Sequence, residues 1–562
     1  MGSKINKKIF LFFIFCCLLF VNTSPCFASK FVRVAISTNN FRSYAYNEVS
    51  VIATSDFALY DKTTALPIAK FLPTDIVKVK LTNGSYEIFV NDKSITKDIT
   101  TTLIFDCPNG VLGVKDLKRK SKQALYHGIF EIDMHNENTF YLVNVLDLQE
   151  YLKGVVPNEM PVSFGLEALK AQAVAARNYV LMPRVKAHKE FDVDDSVASQ
   201  VYYGANTESP IATQAVQETM GLVALHNWEL ILAQYCSTAG GYTEDFQNAF
   251  SDPRSKSFPA NPKPYLKGRA DMFSQTPLTN EDDARMFYMT RPDSFDMQSP
   301  YYRWTKEFSV TELQDVLKKT LVSQSATGFV TPKFEKGDNL GTLKEIRVLR
   351  RGVSGKVMAL EIVTDKGIWI VQKELVIRRI FQKNNVSLPS ANIVFDPVLD
   401  EKSNLTGFII YGGGFGHGVG MSQFGAGFMG KNLNKSFDKI LKRYYSGISI
   451  TTMPVTVSGQ LCQRYFKDEF YAPSNRAFLV LNNPFKIKSF GVKINGVDIS
   501  AKLYLAPCIT ERYGRIDISD FVHQGKNTIE YTSSLVDKSK YVKLYVELIG
   551  KDDSEYSFWG RQ

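Results

Sequence analysis

The stretch Tyr151-Leu-Lys-Gly-Val-Val-Pro-Asn-Glu-Met-Pro161 places one glutamate, Glu159, between two prolines. Pro157 and Pro161 fix their own φ angles and restrict the residues before them, which predicts a short, stiff turn. A helix is predicted directly afterwards, over residues 165–181, where alanine and leucine dominate. Glu159 is therefore either an ordinary acidic residue near a helix start or a general acid whose pKa is raised by burial. On this stretch alone, the ordinary interpretation is favoured.

A chain of 562 residues is too long for one hydrophobic core and predicts roughly three to four domains. Alternating strands indicate a small β module over residues 29–138. Residues 139–453 combine helices with mixed strands in a central domain, interrupted by an irregular excursion at about 252–300. Short strands separated by turns over residues 454–562 are typical of a β-sandwich. The predicted fold class is therefore α+β.

The first residues have the pattern of a cleavable secretory signal. Lys4, Lys7 and Lys8 precede an apolar run over residues 9–21, and small residues lead up to position 28. The apolar run is shorter than a membrane span requires. We therefore expect a signal peptide over residues 1–28 and an exported protein of the periplasm or cell envelope, with no transmembrane anchor after cleavage.

The net charge of +10 indicates either a mildly basic solvated surface or an anionic partner. No run of lysine and arginine is interleaved with aromatic residues, so a nucleic-acid partner is not expected. Outside the signal region the cysteines are Cys107, Cys236, Cys462 and Cys508. Their wide spacing excludes a zinc ribbon, and either disulfides or free buried thiols would fit. Cys236 lies in a predicted strand, which favours a small buried side chain over a nucleophile.

A second conspicuous stretch, Gly412-Gly-Gly-Phe-Gly-His-Gly-Val-Gly-Met-Ser-Gln-Phe-Gly-Ala-Gly-Phe-Met-Gly-Lys431, is dense in glycine. Its matches to dinucleotide-binding and P-loop patterns are incomplete, because the preceding strand and the Ser or Thr after the lysine are missing. His417 is its only histidine, and one histidine does not make a metal site. The residue is either hydrogen-bonded to backbone or in contact with substrate.

Six stretches in one order resemble the SpoIID/LytB family of peptidoglycan lytic transglycosylases and amidase enhancers, across roughly residues 140–450. They are Tyr151–Pro161, Glu167–Arg177, Ser199–Gly204, Ser237–Thr243, Gly414–Ala426 and Ile440–Gly447. The resemblance implies that residues 139–453 form a catalytic domain that cleaves the bond between N-acetylmuramic acid and N-acetylglucosamine. It implies a product with a 1,6-anhydro end and a substrate of glycan strands, which sporulation members prefer stripped of stem peptides.

Glu159 matches the family's catalytic glutamate. A general acid must be protonated at the working pH, so its pKa must be raised, and Val155, Val156 and Met160 could supply the apolar surroundings. The same carboxylate can then take the proton of the sugar's own C6 hydroxyl. That internal nucleophile removes the need for the second carboxylate of ordinary glycosidases.

The resemblance also implies supporting residues. The substrate-contacting set is Gln200, Tyr202, Tyr203, Ser237, Thr238, His417, Ser422 and Gln423. Gln172 and Arg177 are expected to be structural support. Some family members carry zinc on nearby Cys and His residues, but no matching cluster surrounds Cys236, so neither a metal nor another cofactor is expected.

Two further hypotheses stay open. The chain could be a non-catalytic wall-binding protein that enhances a partner amidase, as the amidase-enhancer relatives imply. Alternatively, the predicted sandwich over residues 454–562 could bind carbohydrate by itself, which rests on analogy of fold alone.

Overall fold

The computed structural model describes residues 31–182, 188–272, 276–458, 460, 464–505 and 513–550. The predicted signal peptide, Cys462 and Cys508 lie outside the described residues. Cys107 and Cys236 are both free and buried. Within the described ranges, no helix is long and apolar enough to cross a membrane.

The N-terminal part consists of two antiparallel sheets, with one short parallel pairing. One sheet has the order Val193–Asp194, Phe31–Ala35, Thr139–Asp147, Ile129–Asn136, Leu103–Asp106, Phe57–Asp61 and Pro67–Phe71, with Ala45–Tyr46 beside Thr139–Asp147. The other has the order Lys122–Tyr126, Leu112–Arg119, Glu48–Ala53, Val77–Thr82, Ser85–Val90 and Lys93–Ile99. Strand Val77–Thr82 buries every second residue, as alternation predicts. Asn83 and Gly84 after it both have positive φ, the backbone of a tight hairpin turn.

Two helices follow strand Thr139–Asp147 and position the candidate site. The first, Leu148–Glu159, begins at Asp147, whose side chain accepts a hydrogen bond from the N–H of Gln149 at 2.7 Å. The predicted turn is wrong: the stretch up to Glu159 is helical, with Pro157 inside the helix. The second, Leu166–Leu181, matches the predicted helix, and most of its residues are buried.

The remaining helices of the central part are short, apart from Val310–Ser325. They are Pro210–Gln217, Phe246–Ala249, Glu281–Met289, Val310–Ser325, Glu374–Ile380, Gln423–Asn432 and Phe437–Tyr444. One-turn 3₁₀ helices lie at Val162–Phe164 and Ala205–Thr207. The strand predicted up to Cys236 is interrupted. Two short strands of two residues each, Glu229–Leu230 and Tyr235–Cys236, stand in its place. Tyr235–Cys236 pairs in parallel with Met421–Ser422.

A second hydrophobic core lies within residues 308–410. A four-stranded sheet there has the order Val330–Thr331, Ile368–Gln372, Val357–Thr364 and Leu343–Arg351. A three-stranded sheet has the order Trp304–Ser309, Leu405–Gly412 and Ile393–Leu399, and Gln382–Lys383 pairs with Val386–Ser387. Helix Val310–Ser325 buries Leu313, Leu317 and Leu321 against this core at helical spacing. The predicted excursion contains helix Glu281–Met289 and is otherwise irregular.

The C-terminal strands belong to two sheets. Their buried residues share one core with the N-terminal strands and the central helices. One sheet has the order Glu229–Leu230, Leu222–His226, Ser449–Thr452, Tyr541–Leu548, Ala477–Asn482 and Tyr513–Asp517, with Val455–Ser458 also beside Tyr541–Leu548. The other has the order Tyr465–Ala472, Gly525–Ser533, Phe490–Ile494 and Val497–Asp498. Short helices lie at Ser500–Leu505 and Ser519–Phe521. The predicted α+β class is confirmed.

Candidate active site

Glu159 is the last residue of helix Leu148–Glu159 and is half-buried. Burial raises the pKa of its carboxyl to about 7, against the lowering effect of hydrogen bonds from the Val201 main chain and the Tyr235 side chain. The Val201 N–H donates to Oε1 of Glu159 at 2.6 Å. Next to it along the chain, Val156 and Met160 are buried, as an apolar setting requires. The carboxyl therefore changes its charge close to neutral pH.

Gln200 connects the surroundings of this carboxyl. Its Nε2 donates to the hydroxyl of Tyr235 at 3.0 Å, and its Oε1 accepts from the hydroxyl of Tyr151 at 3.2 Å. Gln200 itself is fully buried. Because the next residue, Val201, supplies the main-chain donor, the 199–204 loop holds Glu159 both directly and through Tyr235.

His417 links the glycine-rich stretch to the same tyrosine. Its Nδ1 accepts from the N–H of Val419 at 3.0 Å, and its ring hydrogen-bonds to the main chain of Tyr235. Burial, and then the charges of Lys356 and Arg378, lower the pKa of His417 to about 3. The imidazole is therefore neutral at any physiological pH, which suits a positioning residue and excludes a cationic role.

Three residues of the predicted substrate-contacting set retain some exposure: Tyr203, Ser237 and His417 are half-buried. Ser237 Oγ lies 3.3 Å from Thr238 Oγ1. Thr238 is buried, and its Oγ1 lies 2.7 Å from Ser299 Oγ. Ser237 is therefore the hydroxyl of this turn that a ligand can reach.

Tyr202 lies in the core. Its ring packs against Tyr126 and Tyr151 with centroid distances of 5.7 and 5.0 Å, and its hydroxyl donates to Asn144 Oδ1 at 2.9 Å. A Cβ on Gly154 would meet the Tyr202 ring at 2.6 Å, so the helix needs glycine there. Only 1% of the Tyr202 surface is exposed, so the structure places this side chain in packing and not at an accessible surface.

Ser422 and Gln423 are also buried. Ser422 caps helix Gln423–Asn432, since its Oγ accepts from the N–H of Gly425 at 3.3 Å. Gln423 Nε2 donates to Gln172 Oε1 at 3.3 Å, which joins this helix to helix Leu166–Leu181. Both residues thus hold the scaffold behind the site.

Arg177, which the sequence predicts to be structural support, is buried among main-chain and side-chain acceptors. Its guanidinium donates to the Leu222 carbonyl at 3.0 Å and to Gln149 Oε1 at 2.9 Å, and burial lowers its pKa to about 9.

Two buried aspartates behind the glycine-rich stretch escape sequence reasoning. Asp296 accepts from the N–H of Gly240 at 2.8 Å, and Asp271 accepts from the Tyr444 hydroxyl at 2.8 Å. Burial and the charge of Asp296 raise the pKa of Asp271 to about 8. Gly240 lies in a turn and Tyr444 ends helix Phe437–Tyr444, so we assign both aspartates a structural role.

Within the part of the chain that the structure describes, Cys236 belongs to no group of three or more side chains that could hold a metal ion. Burial raises the pKa of the Cys236 thiol to about 12, although Lys356 acts in the opposite direction. Among the described residues, one group brings three ligand-type side chains within 4.8 Å of one another: His127, Glu150 and Glu208. Lys153 Nζ already lies 2.6 Å from Glu150 Oε1, so this group forms an ion-pair network.

Val201 and Tyr235 are the site residues that sequence reasoning missed. Val201 contributes a main-chain N–H, which has no signature in the sequence. Tyr235 directly precedes Cys236 and the Ser237–Thr238 turn, so its proximity to a predicted motif was the available signal.

Comparisons with known proteins find families and relatives whose sequences match this chain. The model of the SpoIID family, described as stage II sporulation protein, matches residues 136–226, which include Glu159, Gln200 and Val201. A domain of unknown function, DUF8618, matches residues 252–420, the part that contains the second core.

Three relatives are similar over more than half of the chain. Stage II sporulation protein D of Bacillus subtilis (strain 168) is 32% identical over 55% of this chain and 76% of its own length. An uncharacterized protein of Brachyspira hyodysenteriae (strain ATCC 49526 / WA1) is 30% identical over 58% of this chain and 72% of its own length. The amidase enhancer of B. subtilis (strain 168) is 29% identical over 54% of this chain, but the match spans only 40% of that protein.

Proposed function

The chain belongs to the SpoIID/LytB family, and from this premise we propose that it is an exported peptidoglycan lytic transglycosylase with Glu159 as its general acid and base. Family membership supports a role in the cell wall. The observation that carries the proposal is the half-buried carboxyl of Glu159, whose pKa is raised to about 7. A carboxylic acid with that pKa is protonated often enough at neutral pH to donate a proton.

The geometry suits a cycle in which one carboxyl acts twice. Protonated Glu159 donates to the oxygen between the two sugars while the bond from that oxygen to the N-acetylmuramic acid C1 breaks. The resulting carboxylate then accepts the proton of the C6 hydroxyl as that oxygen bonds to C1. The second step returns to Glu159 the proton that the first step used. The product has a 1,6-anhydro end, and no water is consumed.

Between the two steps the carboxylate must be stabilised without losing its basicity. The Val201 N–H bound to Oε1 and the Tyr235 hydrogen bond favour the charged form, while burial opposes it.

Incubation of the purified protein with amidase-treated sacculi tests the proposal. Mass spectrometry should detect anhydro-muropeptide products, and Glu159→Ala should abolish them. Glu150→Gln is the matched control, because Glu150 lies in the first turn of the same helix and pairs with Lys153. Wild-type protein that binds sacculi and releases no anhydro product would overturn the enzymatic proposal.

The second candidate is a non-catalytic wall-binding protein that enhances a partner amidase. The relative named amidase enhancer supports it, and the Glu159–Val201 hydrogen bond would then simply tie the helix to the loop. In that case the protein should raise the rate of an added cell-wall amidase, and Glu159→Gln should raise it equally. Carbohydrate binding by residues 454–562 stays a prediction.

A further inference from the structure

Two aromatic rings lie exposed beside the candidate site. Phe415 belongs to the glycine-rich stretch and Tyr301 to the predicted excursion, and 39% and 38% of their surfaces are exposed. Their ring centroids are 4.4 Å apart with 35° between the planes. Exposed large aromatic side chains that touch each other form an apolar surface without a partner in the fold.

The backbone holds this pair firmly in place. Phe415 and Thr238 exchange main-chain hydrogen bonds of 2.9 and 3.3 Å, and the N–H of Gly414 donates to the Tyr301 carbonyl at 2.8 Å. The Tyr301 N–H in turn donates to Ser299 Oγ at 3.1 Å, and Ser299 Oγ lies 2.7 Å from Thr238 Oγ1. Because both rings sit on hydrogen-bonded main chain, a ligand would meet a surface that is already ordered.

The pair is linked to the surroundings of Glu159 through Thr238, His417 and Tyr235. Thr238 lies three residues after Tyr235, which spans at most about 10 Å of chain, and Tyr235 hydrogen-bonds Glu159. His417, two residues after Phe415, binds the main chain of Tyr235. The main chain that carries the Tyr235 hydrogen bond to Glu159 therefore also supports the aromatic pair, which makes the same glycan strand the ligand to test here.

We propose that Tyr301 and Phe415 form a sugar-stacking subsite for the glycan strand. The flat C–H face of a pyranose packs on an aromatic ring, and a phenol adds a polar edge for hydroxyl and acetamido groups. Tyr301 and Phe415 both lie in the 252–420 segment, so this segment supplies the whole pair. The inference rests on the proposed function, because it takes the same glycan as ligand.

Calorimetric binding of a β-1,4-linked N-acetylglucosamine hexamer, with the full chain in the Glu159→Gln background, tests the subsite without cleavage. Tyr301→Ala and Phe415→Ala should each weaken binding about tenfold, equivalent to ~1.4 kcal/mol. Tyr301→Phe should bind nearly as the parent, since the ring remains. Phe485→Ala is the matched control: Phe485 is 43% exposed and contacts Tyr541 with centroids 5.3 Å apart, in the C-terminal part.

The outcomes separate the two proposals. Unchanged binding in Tyr301→Ala and Phe415→Ala would overturn the subsite, whatever the cleavage assay shows. Weakened binding in these variants, together with wild-type protein that forms no anhydro product, would support the subsite and overturn the transglycosylase. With Glu159 restored, both variants should show a raised KM and an unchanged kcat. Self-association of the parent that these variants abolish, with no effect on the sugar, would assign the pair to contact between two copies and overturn the subsite.

Discussion

The main-chain N–H of Val201 donates to Oε1 of Glu159 at 2.6 Å, although 42 residues separate the two along the chain. The donor does not depend on the side chain at position 201. The 199–204 loop therefore fixes the carboxyl through its backbone path, which Gln200 holds by its bonds to Tyr151 and Tyr235. Hydrogen bonds thus join the loop to the helix end at Glu159.

Cleavage should slow as the pH rises through about 7. The proton on Glu159 is required for the first step, and the pKa of that carboxyl is about 7. The measurement is kcat for peptide-free glycan between pH 5 and 9, with glycan binding by Glu159→Gln as the control for substrate effects. A rate that increases from pH 7 to pH 9 would contradict the assignment.

Glu159→Gln should stabilise the fold in alkali. The folded-state pKa of about 7 lies above the ordinary value of 4.5. Between these values the folded protein retains a proton that the unfolded chain has released, so stability falls with rising pH and the loss is complete above pH 7. The amide removes this cost. The gain in unfolding free energy over wild type should be about 1–3 kcal/mol larger at pH 8 than at pH 4, measured by urea denaturation.

Tyr235→Phe should move the alkaline limb of the rate profile to higher pH and lower kcat. The hydrogen bond from Tyr235 favours the charged carboxylate, so its removal raises the pKa of Glu159 further. Tyr445→Phe is the control: this buried tyrosine donates to the Gln234 carbonyl at 2.8 Å, one residue from Tyr235. Equal effects of the two substitutions on the profile would contradict a specific role for Tyr235.

Tyr202→Phe should cost stability and spare activity. The substitution removes the hydrogen bond to the buried Asn144 and leaves its Oδ1 without this donor. We expect a cost of about 1–3 kcal/mol in unfolding free energy. KM for glycan should not change, because the ring is 1% exposed. A raised KM with unchanged stability would return Tyr202 to the substrate-contacting set.

His417 should show no titration between pH 5 and 8, since its pKa is lowered to about 3. Its imidazole resonances, followed by NMR, should stay at the neutral position across this range. His417→Ala should reduce kcat by loosening the main chain of Tyr235, and His417→Asn, which retains a donor and an acceptor, should recover part of it. Loss of activity below pH 6.5 with protonation of His417 would contradict this view.

Local sequence rules predicted parts of this protein well. Helix Leu166–Leu181 is rich in alanine and leucine, and Asn83–Gly84 is a characteristic hairpin turn, so propensity and packing agree there. They failed at Pro157, where burial of Val155 and Val156 outweighs the preference of proline for a helix end.

The candidate site shows the same difference between local patterns and contacts from distant segments. Glu159 could be singled out because its motif is contiguous in the sequence, and its catalytic role stays a prediction. Val201 was not, because a main-chain donor is independent of residue type. Tyr202 was expected among the substrate-contacting residues, yet it packs between Tyr126 and Tyr151, a contact between segments that no local pattern shows.

Strand Tyr541–Leu548 is the last described strand of the chain, yet it lies inside its sheet, paired with Ser449–Thr452, Val455–Ser458 and Ala477–Asn482. This sheet cannot form completely until residue 548 has been synthesised, because the strands that pair with Tyr541–Leu548 precede it by many residues. Until then the flanking strands present open edges, which invite aggregation. The sheet of the nascent chain is therefore completed only when the last residues of this strand are available for pairing.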